Sequence, residues 1–253
     1  MSIRLFGLIP AAGFGARFGG SGPKQYSLIG EKTMLQHAVS ALLGASELDT
    51  VFVVLSADDD TFRQLNWNDC GSRVAPLYCG GATRRDSVLN GLIAAAAEVD
   101  PDDWVLVHDA ARPCLALREL RRLIEAVAKE EKGGQAGGIL AVRAADTLKR
   151  SDAQVFIVAT ESREGLWHAQ TPQMFRHGTL LRALRASPLV TDEAAAVEAL
   201  GIRPRLVEGS PRNLKVTYAQ DLELAALILS AAGQGDCEAA ISGRQGNAGG
   251  AGV

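Results

Sequence analysis

The chain has 253 residues, with 26 Lys and Arg against 29 Asp and Glu, a formal net charge of −3. Apolar residues at 47% and charged residues at 22% are those of a globular chain, long enough for one large domain or two small ones. The missing basic excess excludes a protein that holds nucleic acid mainly by neutralising phosphates, and no run reaches the roughly 18 apolar residues of a membrane span.

In chain order, the first element is the apolar run Ile3–Ile9, which ends at Pro10. A signal-peptide core and a buried strand compete for it. The weak charge before it, the interrupting Gly7 and the structured motif directly after it make it a strand. The stretch Pro10 to Gln25, PAAGFGARFGGSGPKQ, is the strongest local signal. A dinucleotide fingerprint fails on its third glycine, where Phe18 stands, and a Walker A loop fails because Pro23 precedes Lys24 and Gln25 follows it. What remains is a triphosphate loop in which small residues admit backbone N–H groups and Arg17 and Lys24 supply charge; the alternative is a solvated loop. A helix follows, with Met34, Leu35, Ala38, Ala41 and Leu42 on one face, then apolar strands at Val51–Leu55 and Val74–Tyr78. Gly80-Gly81-Ala82-Thr83-Arg84-Arg85-Asp86-Ser87 places glycines before a helix carrying Val88, Leu92 and Ala95, either a common turn or an approach to a ligand.

The strand Trp104–His108 leads into His108-Asp109-Ala110-Ala111-Arg112-Pro113. A carboxylate at the end of a strand can hold a divalent metal that bridges phosphates, and Arg112 can meet an anion with its fork; a surface ion pair capping a turn is the other reading. Next come a helix with Leu120, Leu123, Ile124 and Val127, and a strand at Ile139–Val142. Residues 146–160 then break the rhythm. Thr147–Arg150 and Val155–Thr160 around Ser151-Asp152-Ala153 predict a hairpin too small to hide its own apolar side. It packs on a second subunit or folds back on its own domain. Tyr218–Ala231 is a final helix, and residues 233–253, with seven of the 27 glycines, are expected to be a disordered tail.

Apolar strands alternating with amphipathic helices predict an α/β fold: a mostly parallel sheet covered by helices on both faces, as one domain over residues 1–232 with an arm at about 143–163. Ligands of such sheets bind beyond the carboxyl ends of the strands. Cys70, Cys79, Cys114 and Cys237 form no CxxC pair, and no His stands at ligand spacing; free thiols in the cytoplasm are expected, with neither zinc nor disulfides. His37, His108, His168 and His177 are scattered and read as structural or surface residues. Ser87 has no His partner in a hydrolase pattern.

The motifs PAAGFGARF with PKQY, GGATRRDSV, VHDAARP, DTLKR, LWHAQTPQMFR, TDEAAAVE and NLKVT occur in one order from about Leu8 to Ala226. In these the chain resembles the 2-C-methyl-D-erythritol 4-phosphate cytidylyltransferases of the non-mevalonate isoprenoid pathway. Relatives acting on ribitol 5-phosphate share TPQ and the lysine loop, whereas the DAARP and TDEA stretches look more like the methylerythritol enzymes. The resemblance implies a Rossmann-like nucleotidyltransferase fold and a homodimer of crossed β-arms. It implies CTP at Pro10, Ala11, Ala12, Gly13, Gly81, Ser87 and Ala110, with Ala82 and Arg84 beside them. The family often has an acid where Ala82 stands, so no side-chain contact carries over there. Asp109 matches the Mg2+ ligand, and Arg17 and Lys24 match cations that stabilise the transition state. Arg163 and Lys215 match those placing the acceptor phosphate, and Asp109, Arg112, Thr147, Thr171 and Thr191 match positions around the polyol. Cytidylyl transfer to another polyol phosphate, or a non-catalytic nucleotide-binding regulator on the same fold, are the competing functions.

Overall fold

The computed structural model describes residues 3–14, 18, 22–130 and 137–232. Its elements in chain order are β1 (Leu5–Pro10), β2 (Leu28–Ile29), β3 (Lys32–Thr33), α1 (Met34–Leu43), β4 (Leu48–Val54), β5 (Val74–Leu77), α2 (Arg84–Ala95), β6 (Trp104–Val107), α3 (Leu117–Glu130), β7 (Gly137–Arg143), β8 (Leu148–Ser151), β9 (Ile157–Glu161), β10 (Trp167–Arg176), α4 (His177–Ala186), α5 (Glu193–Glu198) and β11 (Arg205–Glu208). Residues 221–232 form a last helix, α6. The expected tail, Arg17 and Cys237 lie outside the described residues; Cys70, Cys79 and Cys114 are free.

Seven strands form the central sheet in the order β11-β7-β10-β6-β1-β4-β5. β1 lies parallel to β4 and β6, β4 to β5, and β7 to β11. β10 runs antiparallel between β6 and β7. The mostly parallel sheet is therefore as expected, with one unexpected central strand. Its sequence, WHAQTPQMFR, lacks the continuous apolar run of the other strands, and its proline removes a ladder donor. The structure accommodates Pro172 where the register against β7 shifts, between Ala169 and Gln173. The short β11 and α5 carry too little periodicity to be read from sequence, whereas α4 has an apolar face of Leu180, Ala183 and Leu184 that the sequence reading missed.

The alternation of β4 shows why the strands are continuously apolar. Val51 and Val53 join Ile9 under α1 and α3, packed with Leu35, Leu42, Leu120 and Leu123. Phe52 and Val54 join Phe6 and Leu8 on the other face, under Val88 and Leu92 of α2 and Leu180 and Leu184 of α4. With both faces covered, each such side chain contributes about 1.5–3 kcal/mol by burial. The entry to α1 is fixed locally: Thr33 Oγ1 accepts the Gln36 N–H while the Gln36 side chain accepts the Thr33 N–H, a capping box.

β8 and β9 form a separate two-stranded sheet, the expected hairpin. Its turn is later than Ser151-Asp152-Ala153: Ser151 still belongs to β8, the Asp152 N–H donates to Phe156 O, and Val155 sits at φ 68°. Val155, Phe156, Ile157 and Val158 are all more than half exposed.

Candidate functional site

The carboxyl ends of β1 and β6, the start of α2 and the segment before α6 surround a cavity of about 430 Å³. Each wall is built by contacts that sequence spacing does not reveal. The loop after β1 is held by the Ala11 N–H on Val54 O at 2.8 Å. Gln25, buried, donates from Nε2 to Ala11 O at 2.7 Å, so the turn Lys24–Tyr26 is tied to that loop. The Tyr26 hydroxyl donates to Asp59 Oδ2 at 2.7 Å; burial and then that carboxylate push its pKa above the ordinary phenol value. Lys24 Nζ donates to Val216 O at 3.0 Å, which sets the lysine beside Lys215.

The second wall is the Gly80-Gly81 turn. The Gly80 N–H donates to Leu55 O at 2.8 Å. A Cβ at Gly80 would stand 2.3 Å from Ala12 Cβ, so the absence of a side chain lets this turn close on the β1 loop. The Gly81 N–H donates to Ser87 Oγ at 3.1 Å, and Ser87 donates to Thr83 O at 3.0 Å. The Ser87 proton is thus committed to the start of α2, where Thr83 also accepts the Asp86 N–H.

The third wall centres on Asp109. Its Oδ1 accepts from Arg84 Nε and its Oδ2 from Lys215 Nζ, both at 2.7 Å. Burial would raise the Asp109 pKa, but Arg84 and Lys215 overcome it and hold the carboxyl far below its usual range. Arg84 in turn forks onto Glu193 through Nη1 at 2.7 Å and Nη2 at 3.1 Å. The Asp109 N–H donates to Thr171 Oγ1 at 3.0 Å, where β10 leaves its register. His108 fixes the same corner. Nε2 faces Arg112 O at 3.0 Å, and a carbonyl can only accept, so Nε2 carries the proton. Nδ1 then accepts from the Thr171 hydroxyl at 3.0 Å. Burial pushes the His108 pKa down to about 4, in keeping with a neutral ring.

Pro10, Ala11, Ala12, Gly13, Lys24, Gly81, Ala82, Arg84, Ser87, Asp109, Ala110 and Lys215, all named from the sequence, line this cavity together with Gln25 and Thr83. Arg112 and Thr171 lie behind Asp109 instead: Arg112 Nη1 donates to Asn213 O at 2.5 Å and its Nε is 3.9 Å from Asp109 Oδ2. Thr147 and Arg163 are on the exposed arm, where Arg163 donates to Ala145 O, and Thr191 is exposed before α5; none of the three lines the cavity. Sequence reading missed the supporting roles of Gln25, Gln173 and Glu193, although all three sit inside the quoted motifs. Among the described residues no three His, Cys, Asp or Glu side chains gather as a metal cluster, and Asp109 is the one acid on the cavity wall.

A mostly parallel sheet with a glycine-walled, cation-lined cleft beyond its strand ends places the chain among the Rossmann-like nucleotide-binding α/β proteins. The model of the family IspD, 2-C-methyl-D-erythritol 4-phosphate cytidylyltransferase, matches residues 5–231, and the chain belongs to that family. A protein of that name from Aromatoleum aromaticum is 52% identical over 227 residues, covering 90% of this chain and 96% of its own. The one from Dechloromonas aromatica is 51% identical, covering 90% and 98%. Among solved structures, a 4-diphosphocytidyl-2C-methyl-D-erythritol synthase matches with TM-score 0.79 and 41% identity over 90% of this chain and all of its own. The Francisella tularensis enzyme matches with TM-score 0.74 and 35% identity, covering 89% and 99%.

Proposed function

We propose that the chain transfers the cytidylyl group of CTP to 2-C-methyl-D-erythritol 4-phosphate, giving 4-diphosphocytidyl-2-C-methyl-D-erythritol and pyrophosphate for isoprenoid precursor synthesis. The observation that carries this reading is the convergence of Lys24, Arg84 and Lys215 on one cavity around the ionised Asp109. An acceptor phosphate oxygen attacks the α-phosphorus in line. That nucleophile is already ionised near neutral pH, so the chemistry needs no general base; it needs two polyanions brought together and their charge offset. Pro10 to Gly13 and the Gly81 turn receive cytosine, ribose and triphosphate, with Ala110 and Ser87 beside them. Lys24 and Arg17 offset charge at the reacting phosphorus.

The donor set at Asp109 fits a hard divalent cation, which commonly takes one or two carboxylates and draws its other ligands from phosphates and water. Asp109 would hold Mg2+, which supplies charge compensation on the triphosphate when bound. Lys215, half-exposed beside it, then serves the acceptor phosphate.

The chain acts as a homodimer in the cytoplasm. The apolar strip from Val155 to Val158 needs a cover that its own hairpin does not provide. A partner's domain as cover brings Thr147 and Arg163 to the other subunit's cavity, beside Arg112, Thr171 and Thr191. No described helix is long and apolar enough to cross a membrane.

Pyrophosphate release with CTP, Mg2+ and either methylerythritol phosphate, ribitol 5-phosphate or no acceptor tests the reading. Release with methylerythritol phosphate is expected; release with ribitol 5-phosphate alone, or none at all, refutes it. Purified heterodimers of Arg163→Ala and Lys24→Ala subunits should regain one intact site, and inactivity would place each site within one chain.

A further inference from the structure

Glu193 is one of the most buried charged residues of the chain, at 1% exposure, and has no part in the transfer described above. A carboxylate so buried is costly unless it is paired. Both its oxygens go to Arg84, in the parallel fork that guanidinium and carboxylate favour. Arg84 therefore reaches Asp109 with Nε alone, on Oδ1. Without a second carboxylate, the same fork would close on Asp109 and occupy both of its oxygens. With Glu193 in place, Oδ2 belongs to Lys215, on the cavity side.

Glu193 is itself held firmly. Gln173 donates from Nε2 to Asp192 Oδ2 at 2.9 Å and accepts the Ala194 N–H on Oε1 at 2.8 Å, so β10 grips the chain on both sides of Glu193. Two residues earlier on β10, Thr171 accepts the Asp109 N–H. Asp109, Arg84, Glu193, Gln173 and Thr171 thus close a ring that joins β6, α2, α5 and β10.

We propose that Glu193 is a positioning residue for nucleotidyl transfer: by filling the Arg84 fork it limits Arg84 to one hydrogen bond on Asp109 and reserves Oδ2 for the cavity. This rests on the cytidylyltransferase reading. The competing role is a plain first-turn acid that stabilises the short α5.

A double-mutant cycle on the full chain separates the two. CTP binding is measured by calorimetry with Mg2+ and no acceptor, and kcat and KM are measured for both substrates. Glu193→Gln should weaken CTP binding and lower kcat/KM for CTP by about 10–100-fold, the range typical of partners that orient a ligand. The acceptor KM should stay within about twofold. In an Arg84→Met background the same change should cost less than about twofold, because the fork it controls is gone. Glu193→Asp, which keeps the charge, should retain more activity than Glu193→Gln. Equal losses in both backgrounds, or equal Asp and Gln variants, overturn the proposal. If Glu193→Gln melts below the assay temperature, the cycle is read with Glu193→Asp. A wild-type chain inactive with CTP and methylerythritol phosphate would refute the functional reading and still leave the CTP-binding cycle to decide the role of Glu193.

Discussion

Replacing Gly80 by alanine tests how the cavity proposed for the nucleotide is built. The added methyl would lie 2.3 Å from Ala12 Cβ and 2.8 Å from Leu55 O. Ordinary carbon contacts lie at about 3.5–4.0 Å, so the two loops must separate by roughly 1 Å. Leu55 O cannot give, because it accepts the Gly80 N–H and belongs to a fully buried residue. The displacement therefore falls on Ala12 and on the Gly80-Gly81 turn itself, which must back away from Leu55 O, and the Ala12 loop and Gly81 both line the cavity. Forced overpacking of this kind costs about 1–3 kcal/mol of stability, and a misplacement of about 1 Å at a reacting site can cost on the order of 10²-fold in rate. Gly80→Ala should remain folded at 25 °C, with a lowered Tm, and should lose kcat/KM for CTP by one to two orders of magnitude. Circular dichroism melts and CTP titration in the pyrophosphate assay read both. A variant with a lowered Tm and CTP kinetics within twofold of wild type would show that the loops move without disturbing the nucleotide, and the reasoning fails.

Lys24→Ala should lower kcat by about 10²–10³-fold, as loss of one donor to a transition state does; near-wild-type pyrophosphate release removes Lys24 from that role. His108, facing Asp109, Arg112 and Thr171, is buried neutral with its pKa lowered to about 4. Its stabilising contribution is whole above the unfolded value near 6.5 and is lost as pH falls toward the folded value, up to roughly 3 kcal/mol across the window. Urea unfolding between pH 7 and 4.5 should show that acid limb, flattened in His108→Asn; an unchanged midpoint down to pH 4.5 refutes it. Phe156→Glu on the arm should raise the dissociation constant of the proposed dimer at least about tenfold, given the burial value of one aromatic side chain. Unaltered sedimentation at micromolar concentration would show that the arm tip is not the contact.

What could be read in the sequence follows from burial. β1, β4, β6 and β7 are covered on both faces, so their apolar runs identify them without structural help, while the edge strand β5 is only half-buried and is legible from its short apolar run alone. The inner part of β10 lies just as deep, yet Gln170, Thr171 and Gln173 are buried polar residues that hold the loop of residues 210–213, Asp109 and the start of α5, and they erase the apolar signal. The site divides in the same way. Lys24 and Asp109 stand directly after legible strands or loops, in patterns with a chemical meaning of their own. Glu193 meets Arg84 across 109 positions and Gln25 meets the carbonyl of Ala11 through a buried side chain, contacts that no helical or strand period encodes. Arg112 combines the two cases: its place beside the polyol is proposed from its motif, whereas its hydrogen bond to Asn213 O behind Asp109 spans 101 positions and has no sequence signature.

The arm has a last consequence, set at its root. β7 and β10 are paired up to Arg143 and Trp167, and the Ala144 N–H donates to Leu166 O at 3.0 Å. The chain therefore leaves the sheet and returns to it through adjacent rungs of one ladder. Everything between is a closed excursion whose length the sheet does not sense. A two-residue turn in its place would leave every central strand pairing unbroken and yield a protomer with its cavity walls complete. The central sheet is thus indifferent to the arm, and what would hold the arm's length fixed is the proposed delivery of Thr147 and Arg163 to a partner's cavity.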